Sequence, residues 1–144
     1  MLVHQILKSK STDGVFTIKP GTSVADAATV LSNNRIGSVI ISATGKTADG
    51  ILSERDIVRE LGKRGPACMS DKVDDMMTKN LVTCSCDDRA DDILKKMTEG
   101  RFRHMPVIKD GEMVGLITIG DVVKARLTEL SMEKEALEGM IMGH

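Results

Sequence analysis

The chain has 144 residues, 41% of them apolar and 28% charged, and it carries a net charge of −1 at neutral pH. This composition is typical of an ordinary globular protein, and the interleaved charges argue against a nucleic-acid-binding stripe or an anchor for anionic membranes. The sequence has no apolar run of membrane-spanning length and no secretory signal at its start, and its three cysteines cannot all pair within one chain. We therefore expect a cytoplasmic protein with no membrane or nucleic-acid partner.

The first half of the chain alternates short apolar stretches with segments of helical period. A short lead-in helix over residues 3–8 precedes a strand over 15–18, which a Pro-Gly pair ends. Ser23 is placed to cap the next helix, with Asp26 three residues later completing a capping box. Two further strands and a second helix follow, so this half is predicted to have the order strand, helix, strand, strand, helix.

The second half repeats the first. Residues 17–27 align with 83–93 at an offset of 66, and residues 50–58 align with 115–123 at an offset of 65. The lead-in at 3–8 also resembles residues 73–78. One such unit would bury only about 60% of its unfolded surface, so the two units are expected to pack face to face.

Local signals in the second repeat predict its elements more sharply. Asp88 is expected to cap the first helix, and the Asp-Gly step within residues 109–111 predicts a tight hairpin between strands at 105–108 and 112–117. The last helix is expected to continue well past Asp121.

The sequence divides into four segments on these grounds, with the Gly- and Pro-rich stretch 62–67 indicating the linker. The predicted boundaries are 1–62 for the first repeat with its lead-in helix, 63–72 for the linker, 73–127 for the second repeat, and 128–144 for a C-terminal helical extension. That extension carries an apolar stripe at Leu127, Leu130, Leu137 and Ile141. It fits either a solvated terminal helix or a helix for self-association.

The residues most suggestive of a binding site lie where a strand enters a helix, at Ser53 and Asp56 and again at Thr118 and Asp121. A hydroxyl followed three residues later by an acid is a capping box, which is a sufficient structural explanation. The same geometry also suits a ligand, because a helix N-terminus attracts phosphate and a carboxylate can accept two hydrogen bonds from a ribose diol.

These features together resemble a tandem pair of cystathionine β-synthase-type (CBS) domains, in the small stand-alone form found in bacteria. The resemblance spans residue 3 to about 127. It is carried by the Pro20-x-x-Ser23-Val24-x-Asp26 stretch, by the Arg103-His104-Met105-Pro106-Val107 stretch, and by two Gly-x-x-[Ser/Thr]-x-x-Asp blocks that start at Gly50 and Gly115. It implies an α/β fold of two pseudo-symmetric β-α-β-β-α repeats, assembled as a disc-like homodimer.

The resemblance also implies two clefts between the repeats for adenosyl ligands: AMP, ADP, ATP or NAD(H), with S-adenosylmethionine as a further candidate. No catalytic cofactor and no metal are implied. In the first cleft Asp56 would hold ribose, Ser53 and Arg55 would contact phosphate, and Leu81 and Val82 would form the adenine wall.

In the second cleft, Thr118 and Asp121 would take the corresponding roles, beside Leu116 and Gly120 in the same block, and the wall would be Val15 and Phe16. Arg103 would face the phosphate region between the clefts, with His104 beside it. Because Arg55 is matched by Gly120, the two sites should be unequal, and the Asp56 site is expected to prefer the more highly charged ligand.

Structural explanations compete for the cationic residues. Arg55 and Arg59 at helical spacing could form a solvated face, and Arg103 could pair with a carboxylate of its own fold. Phe16 and Phe102 are the only aromatic residues, so stacking should contribute little to adenine binding.

Other functional classes have weaker support. His4, His104 and His144 are scattered, and no catalytic triad, metal-ligand cluster or glycine-rich phosphate loop is evident, so an enzyme is not expected. Alternatives that remain open are a thiol-based redox or metal sensor and a purely structural dimerisation module. The thiols in question are Cys68, Cys84 and Cys86.

The favoured interpretation is a regulatory module whose ligand shifts the population of conformations. Its output would act on another, unidentified protein.

Overall fold

The computed structural model of the chain describes residues 1–10 and 15–142. Two parts of the predicted segments lie outside the described residues. They are residues 11–14 of the segment 1–62 and residues 143–144 of the extension 128–144, which include His144. The described residues form a mixed α/β fold of two repeats, which confirms the predicted fold class.

The first half contains three helices and a three-stranded sheet in the order β1-β2-β3, with β1 parallel to β2 and β2 antiparallel to β3. Strand β1 is shorter than predicted, because only two residues pair with β2. The elements are α1 (Val3–Ser9), β1 (Thr17–Ile18), α2 (Val24–Asn34), β2 (Ser38–Ile41), β3 (Gly50–Ser53) and α3 (Glu54–Arg64).

The second half repeats this arrangement around the antiparallel pair β4-β5. The predicted hairpin turn is confirmed: Asp110 (φ 52°) and Gly111 (φ 79°) are both left-handed, as a two-residue hairpin of this kind requires. The elements are a 3₁₀ turn (Pro66–Ser70), α4 (Val73–Met76), α5 (Ala90–Gly100), β4 (His104–Lys109), β5 (Glu112–Thr118) and α6 (Ile119–Ile141).

The start of the second repeat differs from the prediction. Its first strand is reduced to a single parallel bridge between Cys84 and Val107, the positions that match Ile18 and Ile41 in the first repeat. The carboxylate of Asp88 accepts a hydrogen bond from the Ser85 N–H at 2.9 Å and so forms a turn immediately after the bridge. The N-cap of α5 is Arg89, which makes no side-chain capping bond, so the prediction that Asp88 would cap this helix is wrong.

Each lead-in helix packs in the core of the other repeat. The Val3 N–H of α1 donates to the Asp88 carbonyl at 2.9 Å, and the Val24 N–H of α2 donates to the Asp71 carbonyl, just before α4, at 2.8 Å. Val3 and Ile6 are buried among second-repeat side chains, whereas α4 is buried among first-repeat side chains. Each hydrophobic core therefore contains residues from both predicted segments, 1–62 and 73–127.

The stretch predicted as a linker, 63–72, is part of the packed structure. Helix α3 continues to Arg64, whose guanidinium pairs with Glu60 and Asp71. The 3₁₀ turn that follows places Cys68 in the first-repeat core with no exposed surface.

Two glycines allow the lead-in helices to approach the sheets closely. A Cβ added at Gly115 of β5 would lie 2.7 Å from Leu7 Cδ2, and one added at Gly50 of β3 would overlap the side chain of Met77. Helix α1 therefore ends over β5, and α4 ends over β3. Each of these strands carries the glycine of the other repeat's Gly-x-x-[Ser/Thr]-x-x-Asp block. This contact positions the residues that follow each lead-in helix.

The exchanged packing predicts a large cost for truncating α1. Ile6 is 2% exposed in the second-repeat core, so Ile6→Ala should lower the free energy of unfolding by about 2–5 kcal/mol through lost burial and a cavity. Val58→Ala is the control: this aliphatic side chain of α3 is 66% exposed, and its truncation should change stability by no more than about 0.5 kcal/mol. Urea unfolding followed by circular dichroism measures both, and equal small effects would contradict the packing of α1 in that core.

Candidate functional site

A cavity of about 410 Å³ lies between the repeats and brings together seven predicted site residues. We call it the Asp56 cavity. These seven are Ser53, Arg55, Asp56, Leu81, Val82, Arg103 and His104. The rest of its lining, which sequence reasoning did not assign to the site, is Ile51, Arg59, Thr78, Asn80, Gly100, Arg101 and Phe102.

Asp56 is held in a fixed orientation at the start of α3. Its Oδ2 accepts from the Ser53 N–H at 2.9 Å and from Ser53 Oγ at 3.0 Å, while the Asp56 N–H donates to Ser53 Oγ at 3.2 Å. The predicted capping box is therefore present. The Asp56 Oδ1 accepts from Arg59 Nη2 at 2.9 Å, and the residue is only 8% exposed. A carboxylate has about four lone-pair sites, so it retains capacity for a ligand donor.

Positive charge dominates the cavity. Its lining includes four arginines, at 55, 59, 101 and 103, but Asp56 is its one carboxylate. The N-terminal end of α3 adds the positive end of a helix dipole. This arrangement suits an anionic group beside Ser53.

His104 contributes hydrogen-bonding capacity rather than charge. Burial lowers the pKa of its imidazole below the usual value, and the nearby Arg103 guanidinium and Lys10 ammonium lower it further. The ring is therefore predominantly neutral at neutral pH.

The other face of the cavity is apolar. Ile51, Leu81, Val82 and Phe102 contribute side chains there, and Val82 is 46% exposed. Such a surface can cover a flat heterocycle by apolar contact.

Sequence reasoning missed two of the arginines. Arg59 was expected on a solvated face; its side chain is 53% exposed, yet it pairs with Asp56 at 2.9 Å. Arg101 ends α5 in a left-handed conformation (φ 56°), and its repeat partner Arg35 ends α2 in the same way (φ 53°) but lines a different cavity. The match of Arg35 with Arg101 was visible in the repeat, but only the packing of α5 shows that Arg101 enters the site.

The second predicted site is not assembled in the same way. Thr118 and Asp121 form the expected capping box, with the Thr118 N–H donating to Asp121 Oδ2 at 2.9 Å. However, the ammonium of Lys10 lies 2.8 Å from Asp121 Oδ2 and donates to the Leu116 carbonyl at 2.8 Å. Burial alone would raise the pKa of Asp121, but the hydrogen bonds from Lys10 and Thr118 outweigh it and hold that pKa below its usual value.

The cavity beside Asp121 does not bring together the other residues predicted for this second site. The cavity that contains Asp121 lies between α1 and α6, and its lining does not include Val15, Phe16, Leu116 or Gly120. Phe16 is 42% exposed. Thr118 instead lines a small cleft of about 230 Å³ together with Ser53, Arg55, Arg103 and His104, so it borders the Asp56 cavity.

The three thiols differ in burial. Cys68 and Cys84 are buried and Cys86 is half-buried. Burial, with a contribution from the Asp88 carboxylate, raises the pKa of Cys84 to about 12, so its thiol stays protonated and unreactive near neutral pH. Across residues 1–10 and 15–142, no three His, Cys, Asp or Glu side chains are grouped to hold a metal ion.

Among the helices that the structure describes, none combines the length and the apolar character needed to cross a membrane.

Comparison with known proteins identifies the two repeats. The sequence model of the CBS domain matches residues 5–63 and 73–128. The mitochondrial CBS domain-containing protein CBSX3 of Arabidopsis thaliana is 34% identical over 94% of this chain and 68% of its own length. Several other plant CBS-domain relatives are much longer, and the chain spans only 22–23% of two of them.

Solved structures show the same fold. The CBS-domain containing protein ATU1752 from Agrobacterium tumefaciens is 40% identical, with a TM-score of 0.82 over 88% of this chain and 99% of that one. The CBS domain pair of protein MJ0100, solved in complex with 5′-methylthioadenosine and S-adenosyl-L-methionine, is 25% identical, with a TM-score of 0.74 over 87% of this chain and 98% of that one.

Proposed function

Because this chain belongs to the CBS-domain family, we propose that it is a non-catalytic regulatory module that binds an adenosine nucleotide in the Asp56 cavity. The observation that carries the proposal is the content of that cavity: a buried, oriented carboxylate, a helix N-terminus, four arginines and an apolar wall. The adenosyl ligands of the MJ0100 domain pair support the choice of ligand class.

Each part of the ligand has a counterpart in the cavity. The adenine lies against Leu81 and Val82, and Asp56 Oδ1, which among the described residues accepts only from Arg59, accepts a further hydrogen bond from a ribose hydroxyl. The phosphates lie at the N-terminus of α3, beside Ser53 and Arg55, and face Arg103 across the cleft.

The charge of the cavity selects among adenosyl ligands. Hydrogen bonds between ionised groups contribute about 1.5–3 kcal/mol each, against about 1 kcal/mol for neutral pairs. ATP and ADP therefore bind more tightly than AMP. S-adenosylmethionine, whose sulfonium is positive, and uncharged 5′-methylthioadenosine bind more weakly than the nucleotides.

The mechanism is a shift between relative arrangements of the repeats. Ser53 and Asp56 come from the first repeat, whereas Arg101 and Arg103 come from the second. A ligand that contacts both sides favours the arrangement in which they lie close together. The regulated protein recognises this arrangement.

Self-association is the second part of the proposal. The distal half of α6 exposes a run of large apolar side chains, including Leu137 at 59% and Ile141 at 83%. Such a surface is costly on a monomer, and a symmetric dimer would cover it. We propose a homodimer joined through this part of α6.

The ribose assignment is tested by Asp56→Asn against Asp121→Asn. Both carboxylates complete a capping box, so both substitutions perturb a helix start in the same way, but only Asp56 lines the cavity. Loss of the charge-assisted hydrogen bonds should weaken the tightest ATP-binding event by about tenfold in Asp56→Asn. Calorimetric titration measures it, and ATP affinity that falls equally in the two variants would contradict the assignment.

The charge preference is tested by Arg101→Gln against Arg35→Gln. The two arginines end matching helices in the same left-handed conformation, but Arg35 lies outside the Asp56 cavity. Arg101→Gln should weaken ATP binding by about tenfold and AMP binding by less, whereas Arg35→Gln should leave both unchanged. Similar affinities for AMP and ATP in the unmodified protein would refute the charge preference.

The dimer is tested by Leu137→Lys, with Ala136→Lys as the control on another face of α6. Burial of a leucine is worth about 1.5–3 kcal/mol, so Leu137→Lys should raise the dimer dissociation constant by at least about tenfold. Sedimentation equilibrium gives the constant. A monomeric unmodified protein would reject an α6-mediated dimer.

A further inference from the structure

The carboxylate of Asp121 is paired with the side chain of Lys10. The Lys10 ammonium contacts Asp121 Oδ2 and the Leu116 carbonyl, both at 2.8 Å. The two side chains of the ion pair are only 21% and 23% exposed. Asp121 Oδ2 already accepts from the Thr118 N–H and contacts the Lys10 ammonium, so a ligand ribose that approached this oxygen would have to displace the ammonium.

Lys10 is placed there by the packing of α1. Val3 and Ile6 anchor the helix in the second-repeat core, and Leu7 lies directly on Gly115. Lys10 is the first residue after the helix and is extended (φ −70°, ψ 138°). Its side chain therefore starts beside β5 and reaches the start of α6.

The first repeat shows what the same framework looks like without the lysine. The lead-ins match at an offset of 70 residues, which pairs Leu7 with Met77 and Lys10 with Asn80. Asn80 is left-handed (φ 57°) and lines the open Asp56 cavity.

The hydrogen-bond partner of the strand carbonyl next to the site also differs between the repeats. The carbonyl of Ile51, which matches Leu116, accepts a hydrogen bond from the Thr78 N–H at 2.9 Å. In the second repeat the Leu116 carbonyl accepts from the Lys10 ammonium instead. In the first repeat a short amide lines the cavity, and the cation that pairs with Asp56 is Arg59, whose side chain is 53% exposed. In the second repeat the cation that pairs with Asp121 is Lys10, whose side chain is only 21% exposed.

We propose that Lys10 is an internal occupant of the second site, so that the chain binds one adenosine nucleotide, in the Asp56 cavity, and the second site opens only when Lys10 leaves Asp121. This inference rests on the proposed function. It adds that the stoichiometry is set by one residue outside both Gly-x-x-[Ser/Thr]-x-x-Asp blocks.

The test is calorimetric titration of the full chain with ATP in three forms: unmodified, Lys10→Ala and Lys8→Ala. Lys8 is an exposed lysine in the last turn of α1, two residues before Lys10, and serves as the matched control. We expect one ATP per chain for the unmodified protein and for Lys8→Ala, and two for Lys10→Ala. Adding Asp56→Asn to Lys10→Ala should weaken one event and leave the other, which would assign the new event to Asp121.

The outcomes separate this inference from the proposed function. If the unmodified protein binds two ATP molecules, or if folded Lys10→Ala binds only one, the role proposed for Lys10 is overturned and the proposed function stands. If both results occur together, Lys10 is a ligand-binding residue instead. No ATP on any form would overturn the proposed function and this inference with it. Should circular dichroism show that Lys10→Ala is unfolded, Lys10→Met, which keeps the apolar stem and removes the ammonium, provides the same comparison.

Discussion

The structure depends on the exchange of the two lead-in helices. A repeat of about 65 residues is of marginal size for an independent core, and each repeat here completes its core with the lead-in helix of the other repeat. Val3 and Ile6 fill the second core, and Val73 and Met76 fill the first. This exchange ties the repeats to one another, so the cavity between them has defined walls.

The Asp56 cavity shows how such a frame concentrates charge. Four guanidinium groups from two repeats face a space that holds a single carboxylate, and that carboxylate is already engaged by Ser53 and Arg59. Like charges held close together in a partly desolvated cleft repel one another. An anion placed between them would relieve the repulsion and accept hydrogen bonds from both repeats, which is the physical basis of the proposed coupling between ligand binding and repeat arrangement.

Duplication produced two similar helix starts, and a few substitutions made them different. Arg55 is matched by Gly120 and Arg103 by Gly37, which leaves the cations on one side. Asn80 is matched by Lys10, which changes an open lining into an internal ion pair. Pseudo-symmetry of the backbone therefore does not imply equivalence of the sites, because the side chains that follow the lead-in helices decide access.

The sequence by itself determined the features that depend on neighbouring residues: the repeat, the capping boxes at Ser53 and Thr118, the hairpin turn at Asp110 and Gly111, and the long α6. Turn chemistry and periodicity act over a few residues and can be recognised directly. The residues of the first site were predicted from the family resemblance, and in the structure they line one cavity.

Only the tertiary structure decided which repeat receives each lead-in helix, and hence that Arg101 enters the cavity and Lys10 reaches Asp121. The Lys10 contact with Leu116 joins residues 106 positions apart. The two lead-ins have similar apolar patterns, so either could fill either core as far as the pattern shows. In the exchanged arrangement Leu7 packs closely on Gly115 and Met77 on Gly50, and such side-chain complementarity is a property of the assembled fold.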